Sequence, residues 1–197
     1  MSALLRLAQF IDKLNERVGK SVIWLIPVAV LVSAVNAVVR KVLNVSSNAF
    51  LELQWYLFAA VFLLCAPYTL QRNEHVRIDV VTGHFSRRTQ TWIDIFGTVF
   101  FLFPMAILIL TLSWPVFMNA LNTGEVSNNA GGLILWPARL LVPVGFTLLI
   151  LQGVSELIKR VGFLQGLCPD PAERKAEKSA EEELAEAIKQ QRGEVQA

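Results

Sequence analysis

Four stretches of the chain are apolar for about the length that crosses a bilayer, and no other feature narrows its folds so far. They cover roughly residues 20–39, 50–70, 92–118 and 137–157. A helix rising about 1.5 Å per residue needs about 20 apolar residues to span a hydrocarbon core of about 30 Å. With 54% hydrophobic and only 17% charged residues among 197, the composition is too apolar for an ordinary soluble domain. The predicted fold class is therefore all-α: an integral membrane protein with four transmembrane helices, an N-terminal amphipathic interfacial helix and a charged C-terminal tail.

The two ends differ in kind from this core. In residues 1–18, Leu4, Leu7, Ile11, Leu14 and Val18 recur at three- and four-residue spacing, with Arg6, Asp12, Lys13, Glu16 and Arg17 on the other side. That period makes an amphipathic helix, lying in the membrane interface or packed on a partner subunit. Residues 19–160 form the predicted transmembrane domain. Residues 161–197 are a cytoplasmic tail, partly helical or disordered, because Pro169 and Pro171 stop the last helix and the following Ala, Glu and Lys run has little apolar stripe.

Between the spans, charge is concentrated in a few places. The segment 48–88 begins with Glu52 and Trp55, crosses the second span and breaks into His75-Val76-Arg77-Ile78-Asp79 and the pair Arg87-Arg88. Each charge at a membrane boundary must find a partner or water. Glu52 is placed in the first turn of its helix, where the macrodipole favours a negative charge. It either snorkels to the interface or pairs with Arg40 or a partner subunit. His75 and Asp79 share a face if helical and otherwise sit in a solvated loop. Arg77 is suited to a phosphate or partner carboxylate, and Asp79 to backbone amides at the start of the next helix. Pro104 is expected to kink the third span. The connection 119–135 carries one acid, Glu125, in Gly124-Glu125-Val126-Ser127, and no base.

Lysines and arginines set the predicted orientation. Arg6, Lys13, Arg17 and Lys20 precede the first span, Arg72, Arg77, Arg87 and Arg88 lie between the second and third, and seven more follow the fourth; the other side has Arg40, Lys41 and Arg139. By the positive-inside rule both termini and the middle loop are cytoplasmic. A net charge of +2 gives no reason to expect a nucleic-acid partner, and membrane lipids are the expected surroundings. Cys65 and Cys168 have no metal or redox spacing and are read as free thiols. The first twenty residues lack the apolar core and cleavage site of a processed signal.

Enzymatic readings find no site kit. The two histidines, His75 and His84, are in or beside a loop, where they cannot serve as haem ligands inside the bilayer. No cysteine pair, Ser-His-Asp set, phosphate-binding glycine loop or zinc motif occurs. The chain is expected to be neither an enzyme nor a carrier of any cofactor.

Arg40 and Asn44 after span one, Glu52 and Trp55 opening span two, the His75 to Asp79 string after it, and Gly124-Glu125-Val126-Ser127 after span three resemble the small membrane subunit of tripartite ATP-independent periplasmic (TRAP) transporters, the DctQ-like small permease. The similarity covers roughly residues 20–160. One departure is Cys65-Ala66-Pro67-Tyr68, where the family often has a small, glycine-containing end to span two. The resemblance implies a bacterial inner-membrane protein acting as a non-catalytic scaffold beside a large membrane permease subunit, which would carry the substrate site and a sodium site. A periplasmic solute-binding receptor would deliver an organic acid, and the sodium gradient would drive symport. Arg40, Glu52, Trp55, His75, Arg77, Asp79 and Glu125 are the candidate partner-interface or structural residues. The competing expectation is a stand-alone homo-oligomeric transporter or channel with Glu52 as its coupling carboxylate.

Overall fold

The computed structural model describes residues 2–43, 47–72 and 85–167. They form α1 (Ser2–Ile23), α2 (Leu25–Leu43), α3 (Asn48–Arg72), α4 (Arg87–Gly97), α5 (Phe103–Thr123) and α6 (Trp136–Leu164). A π-helical turn, Thr98–Leu102, joins α4 to α5. Four helical stretches are long and apolar enough to span a membrane: Ala3–Leu43, which α1 and α2 share, Asn48–Arg72, Arg87–Thr123 and Trp136–Leu164. The all-helical, four-span architecture expected from the apolar runs is therefore the one observed.

α6 is the axis of the bundle. It packs against α5 on one side and α3 on the other, α2 packs on α3, and α1 lies in the angle between α3 and α6. Close approach is made possible by small residues, since helices in lipid associate through tight packing rather than through escape from water. At Gly145 of α6 an added Cβ would lie 2.9 Å from both the Cβ and the carbonyl oxygen of Leu63. At Gly19 of α1 it would lie 2.7 Å from the Tyr68 side chain. A larger residue at either position would push α3 away.

α1 differs from the expected amphipathic helix in which side it buries. Its inner seam is Ala8, Ile11, Asn15 and Val22, small or polar except for Ile11 and Val22. Leu4, Leu7, Phe10 and Leu14 face outward, so of the predicted stripe only Ile11 is buried. The reason is the solvent: where lipid surrounds the bundle, a large apolar side chain gains little from turning inward, and the small and hydrogen-bonding residues take the contact. α1 also continues to Ile23, past the boundary drawn at residue 18. Its break from α2 at Trp24 has a cause three residues on, because Pro27 has no N–H to give the Ile23 carbonyl. Trp24 N–H bonds instead to the Ser21 oxygen, at 3.3 Å.

Pro104 has a related effect on the third span. It cannot bond to the Phe100 carbonyl, and the helix absorbs the loss in the π-turn just before it, where Phe103 N–H reaches back to Thr98 O. The predicted disturbance thus takes the form of an inserted residue within a continuous helix.

Candidate functional site

The side chains singled out by sequence separate into three places. Glu52 and Glu125 meet at the loop between α5 and α6. Arg40 and Trp55 lie on a different face of the same end. His75, Arg77 and Asp79 fall outside the described residues, as does Asn44.

Glu52 is the fifth residue of α3, one place beyond the first turn to which its position in the sequence assigned it. The helix dipole is thus not its main support. Its side chain, only 5% exposed, is held by three donors from the 124–135 loop. Oε1 accepts from the Ser127 hydroxyl and from Asn129 Nδ2 at 2.8 Å, while Oε2 accepts from Leu133 N–H at 2.6 Å. Glu52 therefore pairs with neither Arg40 nor open interface water. It is the post around which the loop folds.

The loop is shaped to present those donors. Ser127 N–H bonds to Leu133 O and Leu135 N–H to Glu125 O, both at 2.9 Å, and Val126 and Ile134 form an antiparallel bridge. This narrow hairpin-like pinch brings residues 127, 129 and 133 to one carboxylate. Tyr56 OH donates to Ile134 O and Asn48 Nδ2 to Ala130 O, each at 3.2 Å. The loop's acid, expected to have no base within its connection, finds one on α6: Arg139 grips Glu125 with two parallel bonds of 2.5 and 2.7 Å, the planar fork geometry that arginine matches to a carboxylate. Together these contacts tie the start of α3, the loop and the start of α6.

A second polar cluster closes the opposite end of α6. Asp12 of α1 accepts from Gln152 Nε2 at 2.9 Å and Ser155 Oγ at 2.7 Å, and pairs with Lys159 at 3.1 Å. Gln152, fully buried, also accepts from Asn15 Nδ2 at 2.7 Å and donates to Glu156 at 3.2 Å. Lys159 bonds Glu156 as well, and Arg160 reaches Asp94 of α4 at 3.3 Å. Partly satisfied buried networks are costly and well-satisfied ones hold a geometry. This one leaves the buried Asn15 Oδ1 without a hydrogen bond among the described residues but pairs its other members, and it holds α1 and α4 to α6.

Sequence reasoning missed the second cluster. It put Asp12 on the side of α1 opposite the apolar stripe and singled out none of Gln152, Glu156 and Lys159 as candidate site residues, whereas Asp12 faces α6 and pairs with Lys159. The available signal was the spacing of Gln152, Glu156 and Lys159 at i, i+4 and i+7, a polar stripe on one face of an otherwise apolar helix. At the start of α4, Ser86 accepts from Thr89 N–H at 3.3 Å and caps that helix; the capping role expected of Asp79 lies outside the described residues. Arg87 and Arg88 stand exposed beside it.

Arg40 and Lys41 end α2 and line an open groove of about 600 Å³ with Ser33, Asn36, Leu51 and Gln54. Among the described residues neither cation has a carboxylate partner. Trp55, 67% exposed, stands on the outer side of α3. The described residues include no cluster of three or more potential metal ligands.

A family model described as "Tripartite ATP-independent periplasmic transporters, DctQ component" matches residues 29–162. The matched region takes in α2 to α6 apart from the ends. No curated protein and no solved structure matches the chain.

Proposed function

The chain belongs to the DctQ component family of tripartite ATP-independent periplasmic transporters, and from that premise we propose that it is the non-catalytic scaffold subunit of an ion-gradient-driven, receptor-dependent transporter for an organic acid. Membership makes it a membrane component of a tripartite transport system. In the proposed division of labour the large permease subunit binds the substrate and the coupling sodium ion, the periplasmic receptor delivers the substrate, and this chain braces the permease in the bilayer.

The observation that carries the reading is how the polar groups are used. A transport site needs polar groups left open to a passing ion or anion. Here both carboxylate oxygens of Glu52 are occupied by Ser127, Asn129 and Leu133, and Asp12, Gln152, Glu156 and Lys159 satisfy one another. These clamps suit a body that stays rigid while another moves. They also count against Glu52 as the coupling carboxylate of a stand-alone transporter, because releasing it would dismantle the loop.

The test is uptake of a radiolabelled organic acid in vesicles holding the receptor and large subunit, with and without this chain. Uptake is expected to require the chain, while the purified chain alone shows no saturable substrate binding. Saturable binding to the isolated chain would overturn the scaffold reading.

A further inference from the structure

Leu51, Trp55, Phe58, Phe62 and Ala66 follow one another on α3 at intervals of four, three, four and four residues, so they form a single stripe along the whole helix. Trp55, Phe58 and Phe62 are 67%, 54% and 77% exposed, a ridge of three large aromatics. Two open grooves lie along it. At the upper end Leu51 is part of the lining of the groove that holds Arg40, Lys41 and Asn36. At the lower end Ala66 is part of the lining of a second groove, of about 540 Å³, between α3 and the α4–α5 helix, with Phe101 and Met105 on its far wall and Asp94 and Arg160 at one end. One face thus carries a ridge, two concavities and polar groups at both levels.

The other exposed surfaces differ: Trp92, Phe96 and Phe100 form a second aromatic row on α4 and the π-turn, with the Phe96 and Phe100 rings stacked on each other at 4.5 Å, and two further faces are plain. Val28, Leu31, Val35, Val38 and Val42 make a plain aliphatic stripe along α2, and Ile107, Leu108 and Leu112 do the same on α5. Lipid tails cover such stripes without penalty. They cover the α3 face poorly, because Asn36 makes no hydrogen bond among the described residues and Arg40 and Lys41 have no carboxylate there, while Glu52, one position along from Leu51, is turned to the loop. Polar groups beside lipid are satisfied by another helix, by water or by headgroups.

We propose that the α3 ridge, with its two flanking grooves, is the face that receives the large permease subunit, whose helices fill the grooves and whose carboxylate pairs with Arg40 and Lys41. The inference rests on the scaffold reading and adds the face and the chemistry of the contact. Charge complementarity picks the occupant. Two adjacent cations without a carboxylate partner among the described residues call for an acidic side chain, and a second copy of this chain has its nearest carboxylate, Glu52, already saturated. The aromatics supply the packing, as large rigid side chains commonly do at the centre of interfaces.

The experiment uses the complete transporter in native membranes, with a photo-crosslinking benzoylphenylalanine placed singly at Phe58, Phe62, Leu31 or Leu108, and peptide mapping of each adduct. Phe58 and Phe62 are expected to crosslink to the large subunit, and Leu31 and Leu108 to lipid. In parallel, the double variant Arg40→Glu, Lys41→Glu is expected to recover several-fold less large subunit at equal membrane level, with Arg40→Gln, Lys41→Gln intermediate. Adducts to the large subunit from Leu31 or Leu108 instead, adducts only to lipid at Phe58 and Phe62, or adducts to a second copy of this chain would each overturn the proposal while the large subunit still co-purifies. Failure of the unmodified chain to co-purify with any large subunit would overturn the scaffold reading as well.

Discussion

Glu52 works through the number and direction of its donors. Two come from side chains and one from the backbone of Leu133, so the carboxylate reads both the sequence and the shape of the loop. Glu52→Gln keeps the volume but turns one acceptor oxygen into a donor that must face a donor already present. Glu52→Ala removes all three bonds. Hydrogen bonds to a charged acceptor are stronger than neutral ones, so the expected order of loop protection is wild type, then Gln, then Ala, read as amide hydrogen exchange at Ser127 and Leu133. Unchanged exchange in Glu52→Ala would mean that the pinch of Val126 against Ile134 holds the loop by itself. That Glu52 was structurally special could be read from sequence, because a carboxylate beside an apolar run needs a reason. Its partners could not, since Ser127, Asn129 and Leu133 lie more than seventy positions away and only the fold of the loop gathers them. Asp12 was misplaced for a different reason: the amphipathic pattern of α1 marks the side that faces water in a soluble protein, and in this bundle Asp12 and Asn15 turn to α6 while Arg6, Lys13 and Arg17 stay exposed.

α6 shows the same reversal at the level of the element. Its most buried positions include Gly145, Gln152, Gly153, Ser155 and Gly162, residues that a soluble-protein reading would put at the surface or in a turn. The four spans were legible because span length depends only on bilayer thickness and helix rise. Which helix is central was not, because small residues signal close approach without naming the neighbour. Gly145→Val tests whether the α3 contact is as tight as it stands. Overpacking of this kind costs roughly 1–3 kcal/mol, since the new methyls would meet the Leu63 backbone as well as its side chain. A lower unfolding midpoint of the purified subunit is expected, and Leu63→Ala in the same chain should recover little of it, because alanine keeps both the Cβ and the carbonyl that stand in the way. Full stability in Gly145→Val would show that α3 and α6 can slide apart without loss.

At the level of the whole molecule the two polar clamps sit at opposite ends of α6, and the distribution of positive charge decides which end faces which compartment. The loop end carries Arg40, Lys41 and Arg139; the other end carries Lys20, Arg72, Arg87, Arg88, Lys159 and Arg160, before the Lys and Arg of the N-terminal stretch and the tail are added. Arg139 belongs to a bidentate pair with Glu125, which leaves Arg40 and Lys41 as the cations of the loop end that have no carboxylate partner among the described residues. Lysines and arginines near the ends of spans are retained on the cytoplasmic side during insertion, and the proposed orientation therefore puts the Glu52 loop in the periplasm and both termini in the cytoplasm. This places the groove of Arg40 and Lys41 on the periplasmic side and the cluster of Asp12, Gln152 and Lys159 toward the cytoplasm. In a cysteine-free background, a single cysteine at Asn128 is expected to react with a membrane-impermeant maleimide in intact cells whose outer membrane has been opened. One at Thr89, in the first turn of α4, should react only after the inner membrane is breached. Labelling of Thr89 from outside would invert the molecule and move Arg40 and Lys41 to the cytoplasmic surface, where anionic lipid could compete with a protein carboxylate for them.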